Sequence, residues 1–411
     1  MFIFCQHNGK YKVYDGKTHT IQNKQPKNGL NLDKIGYDEN KTLTENLETE
    51  HKIYCKWFME ISESIPQLKL KLKDFKSDSN LTYLLFKIYR GDRQIEFDPV
   101  NCEEVEFINN CYRGGLIYHD IGEYENVKAY DFTKFYPNIL GANNTQFKIP
   151  VTKGQFKIID ELPEKLNTLQ YGIYRVKITS NYDKIRALFA FTKDGYYTHI
   201  DLKFADVLKY HGLINKIELV KDGEYNAMVY NELVDSKIIF SKYVQILLKV
   251  NKKYPKNGLI KNLLSRLWGR LQTKNKVSLM TEEQYLSKTQ EEKNKLWLVK
   301  DEFKFNSETY ETTTILHFLK SARGIYTYNY RLTPFLQAQG RLKMASKIID
   351  LRYDIVRVYN DGVIFKNNDK TNKQNKGAFI YDTKYNNKNL KIGYVMNDKD
   401  KQTKNINITF F

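Results

Sequence analysis

Cysteine is scarce and scattered: Cys5, Cys55, Cys102 and Cys111 show no Cys-x-x-Cys spacing, so neither a zinc site nor a disulfide framework is indicated, and free thiols in a reducing compartment are expected. No apolar run reaches the ~18 residues of a membrane span. The N-terminus has no signal-peptide pattern, so an intracellular, non-secreted protein with no membrane partner is expected. Acidic residues are in deficit, 48 against 66 Lys and Arg, leaving a net charge of +18.

Cations and planar rings are what the chain has in abundance, with 31 Tyr and 23 Phe. Positive charge with many rings suits a polyanion whose bases can stack. The alternative is a Lys/Asn-rich codon bias that raises surface charge with no partner. The 411 residues suffice for a sizeable core and two or three subdomains.

One stretch organises the rest. In NVKAYDFTKFYPNIL (126–140) an alternating lead, Val127 and Ala129, delivers Asp131 to a strand end, and Tyr136-Pro137 follows at a fixed offset. A second carboxylate stands far downstream in VRVYNDGVIF, where two β-prone runs flank Asn360-Asp361-Gly362, a strong hairpin signal. Two such carboxylates brought together would repel by roughly 4 kcal/mol at ~4 Å and an effective dielectric near 20. Bound cations would remove that penalty, and paired Mg²⁺ ions can activate an attacking hydroxyl and steady a leaving phosphate.

Elsewhere the coarse pattern is mixed. Residues 51–64 read as a helix, followed by a break near Pro66 and a basic Leu/Lys alternation; LTYLLFKIY (81–89) fits a strand or a buried helix equally. In CYRGGLIYHDIG (111–122) consecutive glycines would let backbone N–H groups approach a phosphate beside Arg113, or simply form a turn between strands. YGIYRVKIT (171–179) alternates as a strand, and residues 192–212 read as a hairpin and then a helix capped by Asp201. SKIIFSKYVQILLKVNKKYPK (236–256) is a long amphipathic helix with Ile239, Tyr243, Ile246, Leu247 and Val250 on one face. In LIKNLLSRLWGRL (259–271), Leu259, Ile260, Leu263, Leu264, Leu267 and Leu271 form an apolar side, while Lys261, Ser265 and Gly269 fall in one column on another face. That column offers a surface for a triphosphate and a base pair, or is the outer face of an ordinary amphipathic helix. Residues 270–308 are charged and locally helix-prone; 326–351 read as an aromatic-rich strand and then a helix.

Asp131-Phe132-Thr133-Lys134-Phe135-Tyr136-Pro137 resembles the first polymerase motif of family B DNA polymerases, Asp-x-x-Ser-Leu-Tyr-Pro, and the order of motifs around it is similar to the protein-primed branch of phages and linear plasmids. Tyr112-Arg113-Gly114-Gly115 fits the segment that joins the nuclease and polymerase parts and touches template. Lys261, Trp268 and Gly269 fill positions of the second motif, where Ser265 and Arg266 replace Asn and Ser. Lys249 stands where the family has a phosphate-contacting lysine. In the third motif, counting from Arg341 puts Asp361 on the metal-binding aspartate and Tyr359 on its partner; a two-residue shift would put Val363 at the metal. Lys391 and Tyr394 resemble the Lys-x-Tyr segment that contacts primer phosphates.

The resemblance implies an α+β fold, a right-hand polymerase core with an antiparallel palm sheet and helical fingers. Its parts would be an N-terminal region at 1–105, palm at 106–235, fingers at 236–275, a charged insertion at 276–310, and palm with a vestigial thumb at 311–411. No Asp-x-Glu pair stands in a suitable setting before Gly114, so proofreading is expected to be absent or supplied by another chain. The implied activity is DNA-directed DNA synthesis: Asp131 and Asp361, with the carbonyl of Phe132, would hold two Mg²⁺ ions, with Mn²⁺ as a substitute. Tyr136 would exclude a ribose 2′-hydroxyl, a role compatible with packing beside Pro137. Template, primer and dNTPs would be the partners, joined by a terminal protein primer or a processivity partner. Two alternatives are a primase or template-independent nucleotidyltransferase on the same palm, and a non-catalytic DNA-binding subunit descended from a polymerase.

Overall fold

The computed structural model describes residues 2–7, 10–15, 18, 20–22, 30–31, 40–68, 77–91, 94–141, 146–192, 194–271, 277–294, 296–306, 311–319, 328–366, 368, 379–381, 390–396 and 404–410. The Leu/Lys alternation after Leu68 and most of the polar run at 366–377 lie outside them. Two compact units account for the chain: Met1–Ile95, Tyr136–Gln146 and Asp235–Thr273 make one, and Glu96–Phe135, Phe147–Val234 and Lys274–Phe411 the other. Among the described residues the helices of seven or more residues are α1 (Leu43–Ser64), α2 (Asp78–Tyr89), α3 (Cys102–Cys111), α4 (Phe135–Gly141), α5 (His199–Tyr210), α6 (Ser236–Lys253), α7 (Gly258–Leu271) and α8 (Leu332–Ile348). No helix of the described residues is long and apolar enough to cross a membrane.

In the first unit the undecided 81–89 stretch is helix α2, started by Ser77, whose hydroxyl accepts from Asn80 N–H. Leu81, Leu85 and Phe86 then share a buried stripe, a spacing no strand would place on one face. Phe86 stacks on Phe240 of α6 at 5.2 Å and meets Tyr243 edge-on at 6.0 Å. The Tyr243 hydroxyl donates to the Leu263 carbonyl of α7 at 2.7 Å. All six apolar residues expected on one side of α7 are buried. Helix α1 is tied to the α7 start by Asn257, whose amide donates to Trp57 O and Glu60 Oε2 at 3.0 and 2.8 Å. Arg266 and Asn262 both reach buried Asp78, at 3.2 and 2.8 Å. Residues before 96 are therefore part of the same body as the 236–273 helices, and the boundary expected at 105 falls inside α3, in the other unit.

The second unit is organised by a five-stranded antiparallel sheet. Its strands are β1 (Ile117–His119), β2 (Lys128–Phe132), β3 (Ile355–Tyr359), β4 (Gly362–Phe365) and β5 (Phe379–Tyr381), in the spatial order β5-β2-β4-β3-β1. Val127, Ala129, Val356, Ile364 and Leu390 bury one part of it. A second antiparallel sheet is built on Gly172–Thr179, paired with Asp194–Thr198, Lys216–Leu219 and Ala227–Val229.

Three local expectations are corrected here. The charged 276–310 stretch holds two strands besides two short helices: Val277–Thr281 and Trp297–Asn306 both pair with Glu311–Leu319, so a boundary at 310 would separate strands of one sheet. Its charged and polar residues form two capping boxes, Thr281/Gln284 and Thr289/Glu292, which start short helices without extending them. The described part of the aromatic run before α8, Tyr328–Arg331, is a 3₁₀ turn and not a strand. Arg331 there is fully buried, donating to Glu104 with two nitrogens and to the Asp98 and Pro99 carbonyls, which fixes a turn where a strand could not aim its side chain. Finally, α5 is capped by Thr198, and Asp201 sits three residues on as the second half of a capping box.

Candidate active site

Pairing register brings the two carboxylates together. Gly362 stands opposite Asp131, and Phe132 N–H donates to the Asp361 carbonyl at 2.9 Å, closing the β4 end onto the end of β2. The β3–β4 connection is a tight turn in which Asn360 adopts φ +56°, a left-handed conformation that asparagine tolerates. Asp131 and Asp361 line one cleft of about 240 Å³ with Arg357, Tyr359 and Gly362. Val363 lies opposite Tyr130, buried, and by strand alternation on the sheet face away from Asp131.

Gly114 and Gly115 support this turn from within the protein. Gly114 has φ +73°, its N–H donates to Gln337 Oε1 at 3.1 Å, and its carbonyl accepts from Arg341 Nη1. Gly115 passes so close to the turn that a Cβ would come within 2.3 Å of Asn360 Oδ1, while Asn360 N–H donates to the Leu116 carbonyl at 2.8 Å. Arg341 is itself gripped by Asp201 through two bonds of 2.9 Å, both residues buried. So Asp201, expected only as a cap, also anchors the arginine that holds the glycine segment.

The other expected site residues fall in distinct settings. Tyr112 is 49% exposed at the C-terminal cap of α3. The Arg113 guanidinium is folded back, 3.9 Å from the Tyr197 ring centre, donating to Ala190 O and Thr192 Oγ1. On α6, Lys249 is exposed; on α7 Lys261, Ser265 and Gly269 form an exposed column, and a Cβ at Gly269 would meet nothing within 4 Å. Tyr136 is buried with its ring 4.9 Å from that of Trp268. Between them the chain changes unit: Asp131 and Phe132 belong to one, Tyr136 to the other. Lys391 and Tyr394 lie in the strand Leu390–Met396, with side chains outside the described residues.

Sequence reasoning missed Arg357, Gln337 and the buried pairing of Asp201 with Arg341. The alternation Val-Arg-Val-Tyr could have revealed Arg357, since it places Arg357 and Tyr359 on one face. No such local signal marks Gln337, 223 residues from the N–H it accepts. Among the described residues no three His, Cys, Asp or Glu side chains cluster as a metal site, so any cation here would rest on the two carboxylates and on ligands from backbone or substrate.

No protein-family model matches the sequence, and no curated protein matches it. Among solved structures, the chain is similar to Phi29 DNA polymerase complexed with single-stranded DNA, with a TM-score of 0.52 at 11% identity, over 89% of this chain and 63% of that one. The values are the same for Phi29 DNA polymerase complexed with primer-template DNA in a post-translocation binary complex. The chain thus spans less than two thirds of the length of these neighbours, and what the likeness establishes is a mixed α and β fold resembling a DNA polymerase.

Proposed function

We propose that the chain is a DNA-directed DNA polymerase that transfers a nucleotide from a dNTP to a primer hydroxyl. The supporting observation is the shared cleft of Asp131 and Asp361 in a fold that resembles a DNA polymerase. Asp131, Asp361 and the Phe132 carbonyl would hold Mg²⁺, or Mn²⁺, since hard cations take oxygen ligands. The site has room for it: a Cβ at Gly362 would lie 3.8 Å from Asp131 Oδ1, so the missing side chain keeps the space beside the carboxylate open. Two such ions, when bound, would raise the nucleophilicity of the attacking hydroxyl and offset charge on the leaving phosphate.

The protein's own side chains would do the positioning. Lys261, with Lys249, would neutralise the triphosphate, as electrostatic stabilisation in phosphoryl transfer requires. Ser265 and Gly269 leave a low surface for the nascent base pair, and the Tyr136 ring, backed by Trp268, would fill the space of a ribose 2′-hydroxyl. Tyr112 with Gly114 and Gly115 would meet the template, and Lys391 with Tyr394 the primer. Arg113 is engaged within the chain, which favours a structural role for it over a phosphate contact. Protein priming, and a processivity partner, would follow the branch that the motifs resemble.

A non-catalytic DNA-binding subunit is the second reading, favoured by Tyr359 standing where the third motif has an aspartate and by Arg266 being drawn to Asp78. The deciding experiment is dNTP incorporation on a primed template in Mg²⁺ and then Mn²⁺, with Asp131→Ala and Asp361→Ala alongside. A polymerase loses roughly 10⁴-fold in each variant, equal to about 5 kcal/mol of barrier, with unchanged folding. No incorporation by the wild type selects the binding subunit, and equal incorporation by all three proteins shows that Asp131 and Asp361 do not carry the synthesis.

A further inference from the structure

Opposite residues on neighbouring antiparallel strands share a sheet face. Asp131, Gly362, Tyr359 and Ile117 therefore form one row across β2, β4, β3 and β1, and Ala129, Ile364, Arg357 and His119 form the next row on the same face. A bulge between Ile355 and Arg357 resets the alternation of β3 and turns Arg357 to this side. In the first row Gly362 contributes no side chain, so the space between the Asp131 carboxylate and Tyr359 is open to a long side chain from the second. Arg357 lines the cleft together with both carboxylates.

Its guanidinium lies 5.1 Å from the centre of the Tyr359 ring. A planar cation placed on an aromatic face is held in orientation, and a guanidinium keeps its charge at any working pH. Neighbouring His119 does not add to that charge near neutrality: burial, and then the Arg357 charge, hold its pKa below the usual imidazole value. Among the described residues, two carboxylates and one guanidinium are the fixed charges that line this cleft. A divalent ion entering beside a fixed cation is repelled twice as strongly as a monovalent one.

We propose that Arg357 is a resident counter-ion of the Asp131–Asp361 cleft, a positioning residue that lowers the affinity of the protein alone for divalent cations. The inference rests on the reading above that these carboxylates hold metal. In the wild type the guanidinium offsets part of the mutual repulsion of Asp131 and Asp361, so the pair does not depend on a bound ion for its charge balance. Tyr359, in the place of the second aspartate, serves as the platform that keeps the guanidinium there.

Mn²⁺ titration of the full chain, read from the electron paramagnetic resonance signal of free Mn²⁺, tests this without any turnover. Arg357→Gln is expected to bind Mn²⁺ about tenfold more tightly, Arg357→Lys to stay near wild type because it keeps the charge, and Asp131→Asn with Asp361→Asn to lose the binding. Equal, carboxylate-dependent affinity in wild type and Arg357→Gln overturns the inference and leaves the metal reading standing. A shift in Arg357→Lys as large as that in Arg357→Gln also overturns it, since shape and not charge would then be responsible. If no Mn²⁺ binding in any variant depends on the two aspartates, the metal reading fails and the inference with it. Should Arg357→Gln not fold, Arg357→Met against Arg357→Lys makes the same comparison.

Discussion

The carboxylates of Asp131 and Asp361 and the cation of Lys261 rest on two kinds of scaffold. The first pair is fixed by backbone: strand pairing sets Gly362 against Asp131, and the turn with Asp361 is clasped by Gly115, Leu116 and Phe132. Lys261 is fixed at its root alone, on a helix whose apolar side is buried and whose outer column faces solvent. Groups that must meet one another are placed by register and buried polar bonds. Lys261, which under the proposed function must meet a triphosphate, is held at a stem and left free to reach for it. Substitutions in the two regions should therefore separate stability from substrate affinity.

The largest loss of stability is expected from Asp201→Ala, which would leave the Arg341 guanidinium buried without its carboxylate. Breaking one side of such a pair costs about 3–5 kcal/mol, readable as a lowered urea midpoint, and activity should fall as the Gly114 segment loosens. Next comes acid. His199 is buried against Tyr171 and Phe335, and burial, followed by the charge of Lys203, pushes its pKa down to about 4. The unfolded chain then binds more protons than the folded one between pH 6.5 and about 4, so stability should fall as pH drops through that window. The full effect is up to about 3 kcal/mol, and His199→Phe should flatten the slope of melting temperature against pH.

Gly115→Ala pushes a methyl against the Asn360 amide and should cost about 1–3 kcal/mol, with loss of incorporation larger than the loss of folded protein, because the turn that moves carries Asp361. The smallest effect on stability belongs to Lys261→Ala, within about 0.5 kcal/mol. Its consequence should be a raised KM for dNTP in steady-state kinetics. If Lys261→Ala proves as destabilising as Asp201→Ala, the contrast between the two scaffolds is lost.

Local patterns were readable where a single element decides them. The α7 stripe and the Asn360-Asp361-Gly362 turn needed only spacing and turn chemistry. The second role of Asp201 was hidden because its partner, Arg341, is 140 residues away, and capping alone accounts for a carboxylate there. Glu104 and Arg331, 227 residues apart, were hidden for the same reason. Glu- and Lys-rich segments favour helix locally, and Glu282–Leu286 and Gln290–Lys293 are helical, but the flanking strands Val277–Thr281 and Trp297–Asn306 were hidden because their pairing with Glu311–Leu319 is a tertiary choice. The 81–89 stretch was ambiguous until Phe86 had Phe240 to stack on.

The chain passes between its two units at 95/96, 135/136, 146/147, 234/235 and 273/274, so neither is a contiguous piece of polypeptide. During synthesis, Phe86 leaves the ribosome well before the residue it stacks on, Phe240, is made. At ~5–20 residues per second that wait lasts on the order of ten seconds or more. Helix α2 must spend it with its apolar stripe uncovered or transiently chaperoned, and no truncation before residue 273 can yield the first unit complete.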